Sequence, residues 1–191
     1  MLDPLLAALT GQMPRESDAP DRPRAAVALV LASGPDRLLL IRRAERMGDP
    51  WSGHLALPGG RYHADDADLL ATAIRETNEE TGVHLEREWC RAQLDDLVPR
   101  TPTLPPIVVR PFVFVAPEAV APGVSSEVVY STWLPLAHLA ADGVYAARPV
   151  VVRGEERVVE GYLLPEGFLW GMTERILSPV LMLWKNSGGA G

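Results

Sequence analysis

The longest uninterrupted apolar run in this chain is eight residues, Ala25–Ala32, and this length limits what the chain can form. A helix needs about 20 apolar residues to cross a bilayer, so the run is too short for a membrane span and suits a buried β-strand. The N-terminus also lacks the basic and apolar regions of a signal peptide. We therefore expect no membrane association and a cytoplasmic location.

The overall composition is that of a globular domain. The 191 residues are 47% hydrophobic and 23% charged, and this length fits one domain with short appendages. We expect an N-terminal helix and linker over residues 1–24, the domain over 25–185 and a flexible tail over 186–191. Cys90 is the only cysteine, which excludes an intramolecular disulfide and a cysteine-based zinc cluster.

The net charge of −7 bears on the partners that the chain can bind. Nucleic-acid backbones bind basic surfaces, so this charge argues against a nucleic-acid partner. It does not exclude a small anionic substrate, because divalent cations can lie between an acidic protein and a phosphate ester. The oligomeric state stays open, and a homodimer is one option.

Strand patterns occur at intervals between residues 25 and 164. Ala25–Ala32 and Leu38–Ile41, joined by a turn at residues 33–36, predict a hairpin. Strands are also expected at Val108–Val115, where Pro111 indicates an edge or a bulge, and at Val128–Leu134. A second hairpin is expected from Val150–Arg153 and Arg157–Leu164.

Helical patterns are interspersed with these strands. A short helix is expected over Leu2–Leu9, a longer one over Asp68–Thr81 with Gly82 as its C-cap, and a last one over Phe168–Trp184 that Pro179 should kink or divide. Strands and helices do not alternate strictly. The sequence therefore predicts an α/β fold in which a mixed β-sheet is sandwiched between α-helices.

Three carboxylates share one face of the predicted helix at residues 68–81. At 100° per residue, Glu76, Glu79 and Glu80 fall within an arc of about 100°. Such a face can be plain solvated surface. Alternatively, a divalent cation relieves the repulsion between the like charges, and oxygen ligands suit Mg²⁺ or Mn²⁺. The turn at Gly59 and Gly60 allows close backbone approach, and the Gly60 carbonyl is a further candidate ligand.

The longer pattern around this helix resembles the Nudix box, Gly-x5-Glu-x7-Arg-Glu-U-x-Glu-Glu-x-Gly-U, in which U is a bulky aliphatic residue. The matching positions are Gly60, Arg75, Glu76, Glu79, Glu80, Gly82 and Val83. Fourteen residues separate Gly60 from Arg75, one more than in the box. Asp66 is the nearest substitute for the loop glutamate of the box, and Thr77 stands where the box has an aliphatic residue.

The resemblance implies a Nudix fold and a hydrolase of a nucleoside diphosphate linked to another moiety. Glu76, Glu79 and Glu80 would bind the metal directly or through water, and Arg75 would orient these carboxylates by ion pairing. The cations would neutralise the diphosphate and activate a water, and a free carboxylate would accept the proton. Glu76 is one candidate base. Glu127 is another, because the family often supplies a carboxylate from a loop beyond the box.

The segments outside the box resemble the coenzyme A pyrophosphatase branch of this family. Leu39–Arg43 and Ser52–Gly60 are similar to its upstream signature, and Leu169–Thr173 is similar to its C-terminal region. In three places the chain departs from the branch. Leu57 stands where the branch has Phe, and the Thr that follows the Leu pair in the branch is missing. The interval from Arg42 to Gly53, which includes residues 49–51, is two residues longer.

The resemblance makes CoA or a CoA derivative the expected substrate. Arg42, Arg43 and Arg46 are candidate phosphate ligands, although surface ion pairs are their alternative role. Gly59 and Gly60 are expected beside the substrate, and the rings of Trp51 and Trp170 are candidates to stack on an adenine. The alternatives are ADP-ribose, NADH or a nucleoside triphosphate as substrate, or a non-catalytic domain that senses nucleotides.

Overall fold

The first strand, β1 (Arg24–Ala32), lies inside the main β-sheet and is buried along most of its length. The computed structural model describes residues 2–11, 13–32, 36–49, 51–99, 106–152 and 154–189. β1 pairs with β2 (Arg37–Arg43) in antiparallel and with β6 (Val108–Ala116) in parallel orientation. The predicted hairpin is confirmed, while residues 33–35 of its turn lie outside the described residues.

Four shorter or outer strands complete the main sheet in the described part of the chain. They are β3 (Leu55–Ala56) beside β2, β4 (Gly59–Arg61) beside β1, β5 (Cys90–Gln93) beside β6 and β7 (Val128–Pro135) beside β2. A second, antiparallel sheet contains β8 (Tyr145–Val152), β9 (Glu155–Leu164) and β10 (Gly167–Trp170). Its β8–β9 hairpin is the one that the sequence predicts, and Arg153 in its turn is outside the described residues.

Helices cover both faces of the main sheet. They are α1 (Asp3–Thr10), α2 (Leu69–Thr81), α3 (Leu136–Ala140) and α4 (Met172–Trp184). Alternate residues of β1 point to opposite faces: Ala26, Ala28 and Val30 belong to the core that α2 closes, whereas Leu29 and Leu31 belong to the core that α1 and α4 close. The expected mixed sheet between helices is therefore confirmed. Within the described residues, no helix is both long and apolar enough to span a membrane.

Of the two expectations for Pro111, the edge is wrong, because β6 has a neighbour on each side. The bulge fits, because three residues, 94–96, lie opposite residues 110–111 between the pairs Gln93–Phe112 and Leu97–Val109. The β5 ladder ends at the pair Gln93–Phe112, and the next N–H, that of Leu94, donates to the Pro111 carbonyl at 2.9 Å. A strand residue directs its N–H and C=O to the same side. Pro111 therefore lacks its donor only where the neighbouring strand ends, and the pairing with β1 is intact.

The predicted C-terminal helix is wrong in its first part. Residues 168–170 belong to β10, which pairs with β9, and Gly171 then adopts a φ of +73° before α4 begins at Met172. Helical spacing alone could not reveal the β9 partner. Pro179 does not divide α4, which continues to Trp184 with its inner face packed into the core.

Candidate active site

Helix α2 carries the box glutamates, and its own sequence sets both of its ends. The Asp68 carboxylate accepts a hydrogen bond from the Ala71 N–H at 2.8 Å and caps the N-terminus. Gly82 adopts a φ of +70° and donates its N–H to the Asn78 carbonyl at 2.8 Å. The buried Thr77 hydroxyl donates to a carbonyl one turn earlier at 2.7 Å, which accommodates a polar residue on the core face.

Arg75 lies at the centre of a carboxylate network. Its Nε and Nη2 donate to the two oxygens of Asp66 at 2.8 and 2.9 Å. Its Nη1 donates to Glu76 at 2.9 Å and to Glu79 at 3.0 Å. One guanidinium thus orients two box glutamates while a third carboxylate holds it in a bidentate pair.

Asp66 is the loop carboxylate that contacts Arg75, as its nearness to the box position suggests. It is buried and also accepts hydrogen bonds from the Thr72 hydroxyl at 2.9 Å and from the His63 N–H at 3.0 Å. The Arg75 guanidinium holds the pKa of Asp66 well below its usual range. Sequence reasoning missed Thr72, although a threonine on the buried face of α2, one turn before Arg75, is a signal for such a contact.

Glu80 lies in different surroundings at the other end of α2. Glu80 is 3% exposed, and one of its carboxylate oxygens accepts a hydrogen bond from the Gly59 N–H at 2.9 Å. Burial raises the pKa of Glu80 to about 7, the Gly59 bond opposes this rise, and the charges of Glu76 and Glu127 add to it. A positive charge beside Glu80 would stabilise its ionised form.

Two glycines allow the backbone of β4 to reach this carboxylate. Gly59 has a φ of +153°, and a Cβ there would clash with the Ala26 carbonyl and with Val27 on β1. A Cβ at Gly60 would overlap the Glu76 carboxylate. Burial raises the pKa of Glu76, and Arg75 opposes that rise. The pair of glycines therefore brings β4 against both β1 and the glutamates of α2.

Glu127, the second candidate base, lies in the electrostatic neighbourhood of the box. Its charge contributes to the raised pKa values of Glu76 and Glu80, after the larger effect of burial. Its side chain is half-exposed and pairs with Arg46 at 3.3 Å, and its carbonyl accepts the Ala44 N–H at 2.7 Å. These contacts hold Glu127, the residue just before β7, beside the segment that follows β2.

The structure separates the three candidate arginines. Successive residues of a strand point to opposite faces; the Arg42 guanidinium packs beside Gly167, whereas Arg43 pairs with Asp49 at 2.9 Å. Arg46 pairs with Glu127 instead. Sequence reasoning noted residue 49 only as part of a longer interval and missed its contact with Arg43.

A cavity of about 1200 Å³ reaches Gly60, the residue whose Cβ position lies against the Glu76 carboxylate, while none of the box glutamates belongs to its described lining. Among the described residues that line it are Arg43, Trp51, His54, Gly60 and Trp170, whereas Arg42 and Arg46 are absent from that lining. The His54 and Trp170 rings lie 4.9 Å apart at an angle of 52°, and burial lowers the pKa of His54. Such a volume exceeds most small-molecule pockets and suits an extended ligand.

The family model described as NUDIX domain matches residues 22–153, which is more than half of the chain. The chain belongs to the NUDIX family. The NUDIX domain is 30% identical to the Nudix hydrolase NudL of Salmonella paratyphi B over 156 residues, 81% of this chain and 79% of that protein. It is 40% identical to mouse mitochondrial coenzyme A diphosphatase NUDT8 over 70 residues, 35% of this chain and 33% of the mouse protein.

A solved structure of a MutT/nudix family protein from Enterococcus faecalis has the same fold. The TM-score is 0.62 at 19% identity, over 98% of this NUDIX protein and 70% of the other chain. The family and these relatives make the chain an enzyme, a Nudix hydrolase that acts on nucleoside diphosphate derivatives. The expected family and its fold are therefore confirmed.

Nudix hydrolases use divalent metals, so the NUDIX domain must offer suitable ligands. Carboxylate oxygens are the donors that Mg²⁺ and Mn²⁺ prefer, and Glu80 is a buried carboxylate that a cation would stabilise. In the described part of the chain, no three side chains of His, Cys, Asp or Glu converge as a formed metal cage. Arg75 engages Glu76 and Glu79. The oxygen ligands of the box glutamates fit a divalent cation. Two of the three glutamates, Glu76 and Glu79, are hydrogen-bonded to the Arg75 guanidinium.

Proposed function

We propose that this Nudix hydrolase cleaves the diphosphate bond of CoA or a CoA derivative with Mg²⁺ or Mn²⁺ as cofactor. The observation that carries the proposed chemistry is Glu80, a carboxylate that is 3% exposed and accepts a hydrogen bond from the Gly59 N–H, one residue before Gly60 in the cavity lining. The substrate is supported by the branch resemblance on both sides of the box and by the partial likeness to NUDT8.

The box glutamates are the proposed metal ligands. Glu76, Glu79 and Glu80, together with the Gly60 carbonyl, would hold the cation. A divalent cation bound there would neutralise diphosphate charge and acidify a water. Arg75 would keep Glu76 and Glu79 oriented toward the site, because its guanidinium is fixed from the opposite side by Asp66.

A proton acceptor and a phosphate ligand complete the proposed mechanism. Glu127 or Glu76 would accept the proton of the attacking water, since each lies close enough to influence Glu80 electrostatically. Arg43 would bind an oxygen of the diphosphate, because it lines the cavity and its charge also reaches Glu80.

A substrate screen tests the proposal. The intact protein would be incubated with CoA, 3′-dephospho-CoA, ADP-ribose, NADH and a nucleoside triphosphate, each with Mg²⁺ and with Mn²⁺, and products would be identified by mass. We expect CoA to have the highest kcat/KM and to yield 3′,5′-ADP and phosphopantetheine. Turnover of ADP-ribose or NADH without turnover of CoA would contradict the CoA assignment, and turnover of none would contradict the proposed function.

A further inference from the structure

The segment between β2 and β3 comprises residues 44–54, and its described residues form an ordered loop. The Arg43 N–H donates to the His54 carbonyl at 3.0 Å and closes the loop at its base. The Arg46 N–H donates to the Ser52 hydroxyl at 2.8 Å, and the Ser52 N–H donates to the Asp49 carbonyl at 3.1 Å. These bonds hold the described residues of the loop together, and Trp51 and His54 of the loop line the cavity.

Asp49 links two residues that line the cavity. One carboxylate oxygen accepts from Arg43 Nη2 and the other accepts from the Trp51 N–H, both at 2.9 Å. The side chains of Arg43 and Asp49 are only 27% and 17% exposed, so water screens this pair weakly. Arg43 and Trp51 are thus held in a fixed relation to each other.

Arg43, the last residue of β2, retains unused hydrogen-bonding capacity within the described residues. Its Nε is buried and has no hydrogen-bond partner within the described residues. Its charge lowers the pKa of Glu80, against the larger effect of burial, which locates the guanidinium near the box carboxylates. An anionic oxygen of a ligand at the glutamates would lie within the influence of this arginine.

Trp51 forms an apolar part of the same cavity wall. The indole is half-buried and packs against a small cluster of Ala25, Ile107 and Val109, with Met172 beside it. Trp170 contacts the His54 ring, whereas Trp51 takes part in neither of the two ring pairs found among the described residues. A flat ring system of a ligand would therefore find an indole that no other aromatic ring contacts.

We propose that Trp51 is a specificity-determining residue that contacts a flat, uncharged ring of the substrate, such as a nucleobase, while Arg43 at the end of β2 contacts the diphosphate. This inference rests on the proposed function, since it requires a nucleoside diphosphate derivative in the cavity. Asp49 is the positioning residue that holds both groups.

The test compares two ligands that cannot be hydrolysed at the diphosphate. Affinities of α,β-methylene-ADP and of methylenediphosphonate, which has no base, are measured by calorimetry with Mg²⁺ for the wild type and for Trp51→Leu. Stacking on an aromatic side chain accounts for about fivefold to a hundredfold in affinity. We expect a loss of that size for α,β-methylene-ADP and a change within about twofold for methylenediphosphonate. Trp89→Leu, which removes a half-buried indole outside the cavity lining, is the matched control.

The possible outcomes separate the inference from the proposed function. Equal weakening of both ligands by Trp51→Leu, or no weakening of either, overturns the role of Trp51 while nucleotide binding by the wild type stands. A wild type that binds neither ligand overturns the proposed function and this inference with it. If Trp51→Leu does not fold, the indole N–H signal of Trp51 is followed by NMR in the wild type, with Trp51→Phe to assign it. The chemical shift of that signal should change with α,β-methylene-ADP and not with methylenediphosphonate. If neither ligand changes it, Trp51 does not contact the base.

Discussion

Asp66, in the loop before α2, and Glu80, near the C-terminus of α2, are two nearly inaccessible carboxylates with opposite electrostatic surroundings. They are 9% and 3% exposed. Asp66 accepts four hydrogen bonds, two of them from Arg75, and its pKa is lowered. Burial dominates at Glu80 and raises the pKa to about 7. The number and charge of the donors, rather than burial itself, decide whether a carboxylate fixes the structure or remains ready for a cation.

The largest expected effect is on activity at Glu80. Glu80→Gln keeps the shape of the side chain and removes the charge that a cation would bind, so kcat/KM should fall by at least about a hundredfold. The measurement uses the best substrate from the screen at saturating Mg²⁺. Glu155→Gln, which breaks an exposed ion pair with Arg157 in the β8–β9 hairpin, should stay within about twofold. Near-wild-type turnover of Glu80→Gln would remove Glu80 from the proposed ligand set.

A smaller loss of activity is expected at Asp66. Asp66→Asn weakens the bidentate contact that holds Arg75, while the Arg75 bonds to Glu76 and Glu79 are left in place. Loss of such a supporting contact typically costs about tenfold to a hundredfold, and we expect about tenfold in kcat. Asp66→Glu, which restores the charge, should recover part of the rate. An unchanged rate for Asp66→Asn would mean that Arg75 keeps its orientation without this partner.

Stability should depend on pH through Asp66. Its folded pKa lies below the ordinary value of 3.8, so its contribution is complete above that value and disappears as the pH falls toward the folded pKa. The unfolding free energy of the wild type should exceed that of Asp66→Asn by about 2 kcal/mol at pH 6. The difference should shrink below pH 4. Urea unfolding of both proteins across this range measures it, and a difference that grows on acidification would contradict the sign.

Glu80 should show the opposite dependence, with a smaller net effect on stability. Its pKa is raised from 4.5 to about 7, so the folded state retains a proton that the unfolded state loses, and stability falls as the pH rises between these values. In metal-free protein, Glu80→Gln should therefore raise the unfolding free energy by about 1 kcal/mol at pH 8 and change it little at pH 4. Destabilisation by Glu80→Gln at pH 8 would indicate that Glu80 is a satisfied structural carboxylate like Asp66.

Local sequence signals predicted most of α2 and its surroundings. The spacing of apolar residues, the Asp68 cap and Gly82 all act within a few residues of one another, so the helix and the common face of Glu76 and Glu80 follow from periodicity alone. Asp66 could be named as the loop carboxylate because it lies close to α2 along the chain.

Contacts between distant segments were less predictable. The strand at residues 168–170 exists because β9 pairs with it, and the interior position of Pro111 depends on where β5 ends. The ion pair between Arg43 and Asp49 depends on the conformation of the loop between β2 and β3, and no periodic sequence pattern predicts that conformation.

The packing of α1 against α4 has a consequence for where the chain can be shortened. The family match covers residues 22–153 and contains neither helix. Leu5 and Leu9 of α1 and Leu177 of α4 are buried in the same core as Leu29 on β1. A fragment trimmed to the matched residues would leave this side of the sheet uncovered and prone to aggregation. The smallest autonomously folding piece is therefore larger than the segment that the family model matches, and fusion partners belong outside both helices.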